Sequence, residues 1–176
     1  MKKVVWKTFI NHEKEEDFLN DMSQKGWAFT SFKFCRYTFE EAPKGEYIYR
    51  MEYLEHSIKD KRSQDYLEFM QETGAEVVST YINWVYFRKK SNEGPFTIYS
   101  DIESKVVHYN RLRNLYLILA IVNIVAGINL AVGSSVSSIS PWFSLPNLLI
   151  GLLLLSIAMP LSKKIKHLEK EKNVLE

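Results

Sequence analysis

Residues 114–162 read NLYLILAIVNIVAGINLAVGSSVSSISPWFSLPNLLIGLLLLSIAMPLS, 49 consecutive positions without an Asp, Glu, Lys or Arg. A helix crosses a hydrocarbon core of about 30 Å with about 20 apolar residues. The stretch divides into two such pieces, 114–132 and 145–162, around a connector at 133–144 rich in Gly, Ser and Pro. The connector suits a turn at the far interface, with Trp142 at the headgroup level. A helical hairpin buried inside a soluble protein is the alternative, but no other segment is large enough to wrap two uncharged helices. The expectation is therefore a cell-membrane protein with two spans, whose first partner is the lipid bilayer.

Basic residues flank the spans on one side only. Arg111 and Arg113 precede the first, Lys163, Lys164 and Lys166 follow the second, and the connector carries no charge. Lys and Arg near span ends are retained in the cytoplasm, so both termini are expected there, with 163–176 as a basic cytoplasmic tail. Within the spans, Asn123, Asn129 and Asn147 are polar groups that lipid cannot satisfy. Gly127 with Ala131 adds a small-xxx-small spacing. These residues point to helix packing, of the hairpin on itself, in a homodimer, or against a membrane-protein partner. The spans hold no ionisable Asp, Glu, Lys, Arg or His, as a proton or ion pathway more often would.

The remaining N-terminal part, residues 1–113, holds 18 basic and 18 acidic residues and is formally neutral. A general nucleic-acid binder needs a basic surface to displace phosphate counterions, so no nucleic-acid partner is expected. Cys35 is the only cysteine, which rules out an intrachain disulfide.

In this part Val4 to Ile10 alternates as a strand does. Asn11 offers an N-cap to an acid-rich first turn, His12 to Glu16, and the helix runs on through Phe18, Leu19 and Met22 until Gly26 stops it. Trp27 to Phe39 reads as one aromatic-rich strand and, after a turn at Pro43 to Gly45, Tyr47 to Leu54 as the next. A second helix from about Lys59 to Thr73 ends at Gly74, and Val77 to Arg88 reads as one long strand. A shift of 48 positions lays Phe18, Leu19, Met22 and Gly26 on Tyr66, Leu67, Met70 and Gly74. Two strand-helix-strand halves of this kind predict an α+β domain over 1–92, ferredoxin-like with βαββαβ order, one four-stranded sheet and both helices on one face. Residues 93–113 form a linker and juxtamembrane helix. Ser100 and Glu103 have capping-box spacing, and no breaker separates them from the first span.

Both parities of the strands are apolar or aromatic. One parity must face the core, which leaves the other as an aromatic surface for a ligand or partner, or as a face packed on the linker or membrane. Trp27, Trp84 and Tyr86 are the strand residues expected to bind there.

No catalytic constellation is legible. His12, His56, His108 and His167 lack metal-ligand spacing, and neither a phosphate-binding glycine loop nor a serine nucleophile elbow is present. No catalytic residue, metal site or cofactor is assigned.

Three stretches carry a family resemblance: Phe18-Leu-Asn-Asp-Met-Ser-Gln-Lys-Gly-Trp27, Asn83-Trp-Val-Tyr-Phe-Arg-Lys89, and Ile98-Tyr-Ser-Asp-Ile-Glu-Ser-Lys105 ahead of a span. Over roughly residues 5–113 the chain resembles the bacterial domain-of-unknown-function family 2812, DUF2812. The resemblance implies a membrane-tethered domain of the kind encoded beside PadR-type transcriptional regulators, hence a link to such a regulator, and it brings no activity with it. It adds Tyr99, Asp101 and Lys105, in the most specific stretch, as candidate binding residues. The expected function is a membrane-anchored, non-enzymatic module that senses a hydrophobic compound or membrane state, or recruits a protein partner. The alternatives are an accessory subunit of a larger membrane complex, such as an exporter, and an enzyme of unrecognised type.

Overall fold

The computed structural model describes residues 1–99, 102–134 and 141–175. The proposed cap Ser100 and the candidate Asp101 lie outside the described residues. The chain forms two compact units, Met1–Ile98 and Tyr99–Glu176.

The first unit is built twice from one plan. Strand β1 (Lys2–Trp6), helix α1 (His12–Gln24), β2 (Trp27–Lys33) and β3 (Arg36–Glu41) are followed by β4 (Tyr47–Tyr53), α2 (Lys61–Glu72), β5 (Glu76–Tyr81) and β6 (Trp84–Lys90). Each half makes its own three-stranded antiparallel sheet, in the order β1-β3-β2 and β4-β6-β5. Each helix starts on an acceptor side chain, Asn11 for α1 and Asp60 for α2, which takes a backbone N–H of the first turn. Just beyond the two helices Gly26 and Gly74, 48 positions apart, turn the chain at φ of +84° and +86°. The register of β2 on β3 slips between Phe29 and Ser31, and that of β5 on β6 between Val77 and Ser79, so even the bulge recurs at the same offset.

Two expectations are corrected here. Trp27 to Phe39 is not one strand but a hairpin with Phe34 and Cys35 at its tip, and Val77 to Arg88 is a second hairpin with Ile82 and Asn83 at its tip. The single four-stranded sheet is accordingly replaced by two three-stranded ones, within the α+β class. Phe34 and Cys35 both have positive φ, as a type I′ turn requires, and of Ile82 and Asn83 only the first does, the pattern of type II′. Neither turn carries the glycine those types favour, so the alternation runs through each tip without a break.

Apolar burial explains how the halves join. Leu19 and Met22 of α1, Phe29, Tyr37 and Phe39 of the first sheet, and Tyr49, Met51 and Tyr86 of the second form one core. The opposite face of the second sheet, through Val85 and Phe87, packs with Leu67 and Met70 of α2 and with Phe96, which follows β6. The second sheet is therefore covered on both faces.

In the second unit, α3 (Ile102–Ser134) and α4 (Leu145–Leu175) run antiparallel. At 1.5 Å per residue each is roughly 45–50 Å long, and each is long and apolar enough to cross a membrane. Gly127 lies against Leu148 and Gly151 against Ile124: a Cβ added to either would fall 2.8 Å and 2.5 Å from the facing side chain. The helices therefore meet at glycines. Their charged ends extend the pair beyond the uncharged stretch. There Leu112 and Ile165 are buried, the Lys164 ammonium lies 4.5 Å above the Tyr109 ring, and Lys172 pairs with Glu103 at 3.4 Å. The segment expected to be a tail continues α4 as far as Leu175.

Candidate functional site

Where the two sheets and α1 meet, a single carboxylate oxygen holds all three. Oε1 of Glu15 on α1 accepts the hydroxyl of Tyr37 on β3 at 2.6 Å and that of Tyr86 on β6 at 2.8 Å. Glu15 is 8% exposed, Tyr37 1% and Tyr86 2%. Burial pushes the carboxyl above its ordinary range, against the two hydroxyl bonds that favour its charged form. The same burial, with the carboxylate alongside, raises both phenols, so they remain donors. Glu15 sits on α1 at i, i+4, i+7 spacing with Leu19 and Met22, which is why the helix that buries those two buries it too.

The neighbouring stripe of α1 serves the edge of β4. Met51 N–H donates to Glu16 Oε1 at 2.8 Å, Tyr49 N–H to Asn20 Oδ1 at 2.8 Å, Asn20 Nδ2 to Tyr49 O at 3.1 Å, and Ser23 Oγ to Tyr47 O at 2.7 Å. Three helix side chains thus take the place of a further strand and satisfy backbone groups that a sheet edge would otherwise leave open. Burial raises the Glu16 carboxyl to about 7, opposed by the Met51 N–H and by the Arg50 guanidinium 3.8 Å away. A second carboxylate–tyrosine pair, Glu52 with Tyr66, ties β4 to α2.

The aromatic parity expected to be open is thereby corrected. Tyr86 lies in the core with its ring 5.3 Å from Phe29, and the Tyr49 hydroxyl, also buried, accepts the Phe29 N–H at 2.9 Å. Trp84, half-buried, lies between His12, tilted at 5.8 Å, and Tyr53, edge-on at 5.3 Å. Trp27, also half-buried, carries the Lys3 ammonium 5.0 Å above its ring. Tyr99 places its hydroxyl 2.6 Å from Nδ1 of His108, a histidine only 2% exposed, and Lys105 is exposed on α3.

In the helical pair, Asn123 and Asn129 each donate to a carbonyl one turn back in α3, at Leu119 and Val125. Asn123 and Asn147 are half-buried, whereas Asn129 is exposed and so does not pack the hairpin on itself. The close approach expected at Gly127 is made there, and Gly151, which was not singled out, makes a second one.

Exposed apolar side chains in the first unit include the outer face and tip of the first sheet, and also Phe69 on α2 and Ile10 ahead of α1. Trp6 is 70% and Phe34 75% exposed, and Ile82 at the second tip is open as well.

A family model described as a protein of unknown function, DUF2812, matches residues 11–121, from the α1 cap through the rest of the first half after β1, the whole second half and into the first apolar helix. No curated protein and no solved structure matches the chain.

Proposed function

The chain belongs to the DUF2812 family of proteins of unknown function, and from that premise we propose that it is a membrane-anchored, non-enzymatic binding module. Its two-half domain stands on the cytoplasmic side, held by the helical pair, and recruits a partner or responds to the membrane through its surface. The observation that carries this is the closure of the Glu15 centre. The carboxylate and phenols that could do acid–base chemistry are turned inward and spent on joining α1 to two sheets. Chemistry needs a substrate's approach, whereas binding needs exposed groups, and the exposed apolar ones include Val4, Trp6, Phe34 and Ile82 at the first sheet's outer face and the tips, with Ile10 ahead of α1 and Phe69 on α2.

The anchor is tested through Cys35, the only cysteine, which sits at the first tip. A membrane-impermeant maleimide should label it only after the cell membrane is opened; labelling in intact cells overturns the cytoplasmic placement. The module is tested by purifying the tagged full-length protein from its own membranes and identifying what comes with it by mass spectrometry.

A second reading, an accessory subunit of a larger membrane complex, is favoured by Asn129, a polar group on the outward side of the pair. A stoichiometric membrane protein that is lost on Asn129→Leu would select that reading.

A further inference from the structure

The first hairpin carries two features that cost stability. Phe34 occupies φ of +40° at its tip, a left-handed conformation in which Asn or Gly is strain-free, and yet its ring is three-quarters exposed. Next to the tip, Lys33 of β2 stands directly opposite Arg36 of β3, a like-charge pair of the kind that destabilises a sheet. Arg36 in turn faces the exposed Trp6 across β1. Lys7 follows, its N–H bonded to Cys35 O at 2.9 Å and its ammonium within 5 Å of the Phe9 and Phe18 rings. Residues 1–12 and 22–39, which supply this end of the sheet, contain no Asp or Glu, and the ion pair Lys2–Glu40 lies at the sheet's far end.

An exposed Phe and Trp set among Lys7, Lys33 and Arg36 have the composition of an interfacial contact. Apolar and amphipathic rings enter the headgroup boundary while cations meet its phosphates. We propose that the tip of the first hairpin, Phe34 with Trp6, Lys33 and Arg36, binds the surface of an anionic lipid bilayer. An apposed layer of phosphates turns the Lys33–Arg36 repulsion into shared attraction, and burial of Phe34 offsets the strained turn. The inference rests on the membrane-anchored reading, because tethering to a bilayer makes a weak surface contact effective by raising its local concentration.

The test uses the full-length protein in nanodiscs, with bimane on Cys35 and spin-labelled lipids as quenchers. Equal parts of phosphatidylcholine and phosphatidylglycerol should give strong quenching, and phosphatidylcholine alone little. Lys33→Glu and Arg36→Glu should each weaken the contact roughly fivefold or more. Phe34→Asn should abolish most of the quenching while the domain stays folded, since Asn suits the turn. Equal quenching in both lipid mixtures, or quenching indifferent to all three substitutions, overturns the proposal. So does an unquenched tip whose Lys33→Glu and Arg36→Glu variants instead lose a co-purifying acidic protein. Failure of the protein to enter nanodiscs, or its release from membranes by alkaline carbonate, would sink the anchored reading itself.

Discussion

The two halves of the first unit share a backbone down to the bulge and differ in what covers them. At the first tip the row across the strands is Lys33, Arg36 and Trp6, exposed; at the second it is Tyr81, Trp84 and Tyr53, with Trp84 against Tyr53 and Tyr81 against Phe32. The edge of β4 is filled by Glu16, Asn20 and Ser23, whereas β1 turns Lys2, Val4 and Trp6 outward without such a helix. The positions on α2 that correspond to Glu16 and Asn20 are Gln64 and Glu68, both exposed. One half has thus become the packing platform of the other. A repeated backbone fixes where strands and helices run, and side-chain polarity then decides which faces are interior. The charged outer face of the first sheet acts as the capping end that a repeat array needs if it is to stop.

Breaking the joint should have the largest effect. Glu15→Ala leaves two buried phenols without an acceptor and a void beside them, and should cost about 3–4 kcal/mol. At the corresponding place in the second half, Ser63 Oγ makes one bond to His56 O, and Ser63→Ala should cost about 1 kcal/mol. Urea unfolding followed by pulse proteolysis in mild detergent compares the two directly. Near-equal costs would mean that Glu15 does not join the halves.

Proton linkage at Glu16 sharpens the contrast, because the second half has a glutamine there. With a folded-state value near 7 against an ordinary 4.5, the folded domain binds the proton more tightly than the unfolded chain does. Stability is then greatest below about pH 4.5, falls as pH rises towards 7, and levels above it, by up to about 3 kcal/mol. Urea midpoints measured across that window should show this fall in the native protein and a smaller one in Glu16→Gln, which keeps the contribution of the likewise raised Glu15. Asn20→Leu, which strips one N–H and one C=O of β4 of their partners, should cost about 2 kcal/mol. Glu68→Leu, on the exposed face of α2, should change stability by under about 0.5 kcal/mol.

The helices and the offset between the halves were legible in the sequence because Asn11, Gly26 and Gly74 mark local events that do not depend on the rest of the fold. The apolar helices were legible for the same reason, charge being absent over a length that no soluble core of this size needs. The hairpins were hidden because Phe34, Cys35 and Ile82 are poor turn formers and Asn83 stands without a glycine beside it, and a two-residue tip leaves the alternation of apolar residues unbroken across it. The sheet's interior side was hidden by composition: both parities of β4 and β6 carry apolar side chains, Arg50 and Glu52 interrupting one parity of β4, because both faces of that sheet are buried. Glu15 carried a signal that the acid-rich first turn masked. An acid four residues before Leu19 and seven before Met22 lies on the buried stripe, and an acid there has a partner.

The smallest effect is also the one that separates the two tips. Ile82 is β-branched at φ of +57°, a worse fit to the left-handed region than Phe34 at +40°. Replacing each by a residue suited to its turn, Ile82→Gly and Phe34→Asn, should therefore stabilise the domain, by about 1 kcal/mol at Ile82 and somewhat less at Phe34. Both gains would appear in detergent, where no bilayer competes for the tips. In anionic nanodiscs the outcomes should diverge. Ile82→Gly keeps its gain, because the row beside it is occupied by Trp84 and Tyr53, while Phe34→Asn loses its gain as the lipid contact disappears. A gain at Phe34 that persists in anionic nanodiscs would return that tip to the status of its counterpart, a strained turn with nothing bound to it.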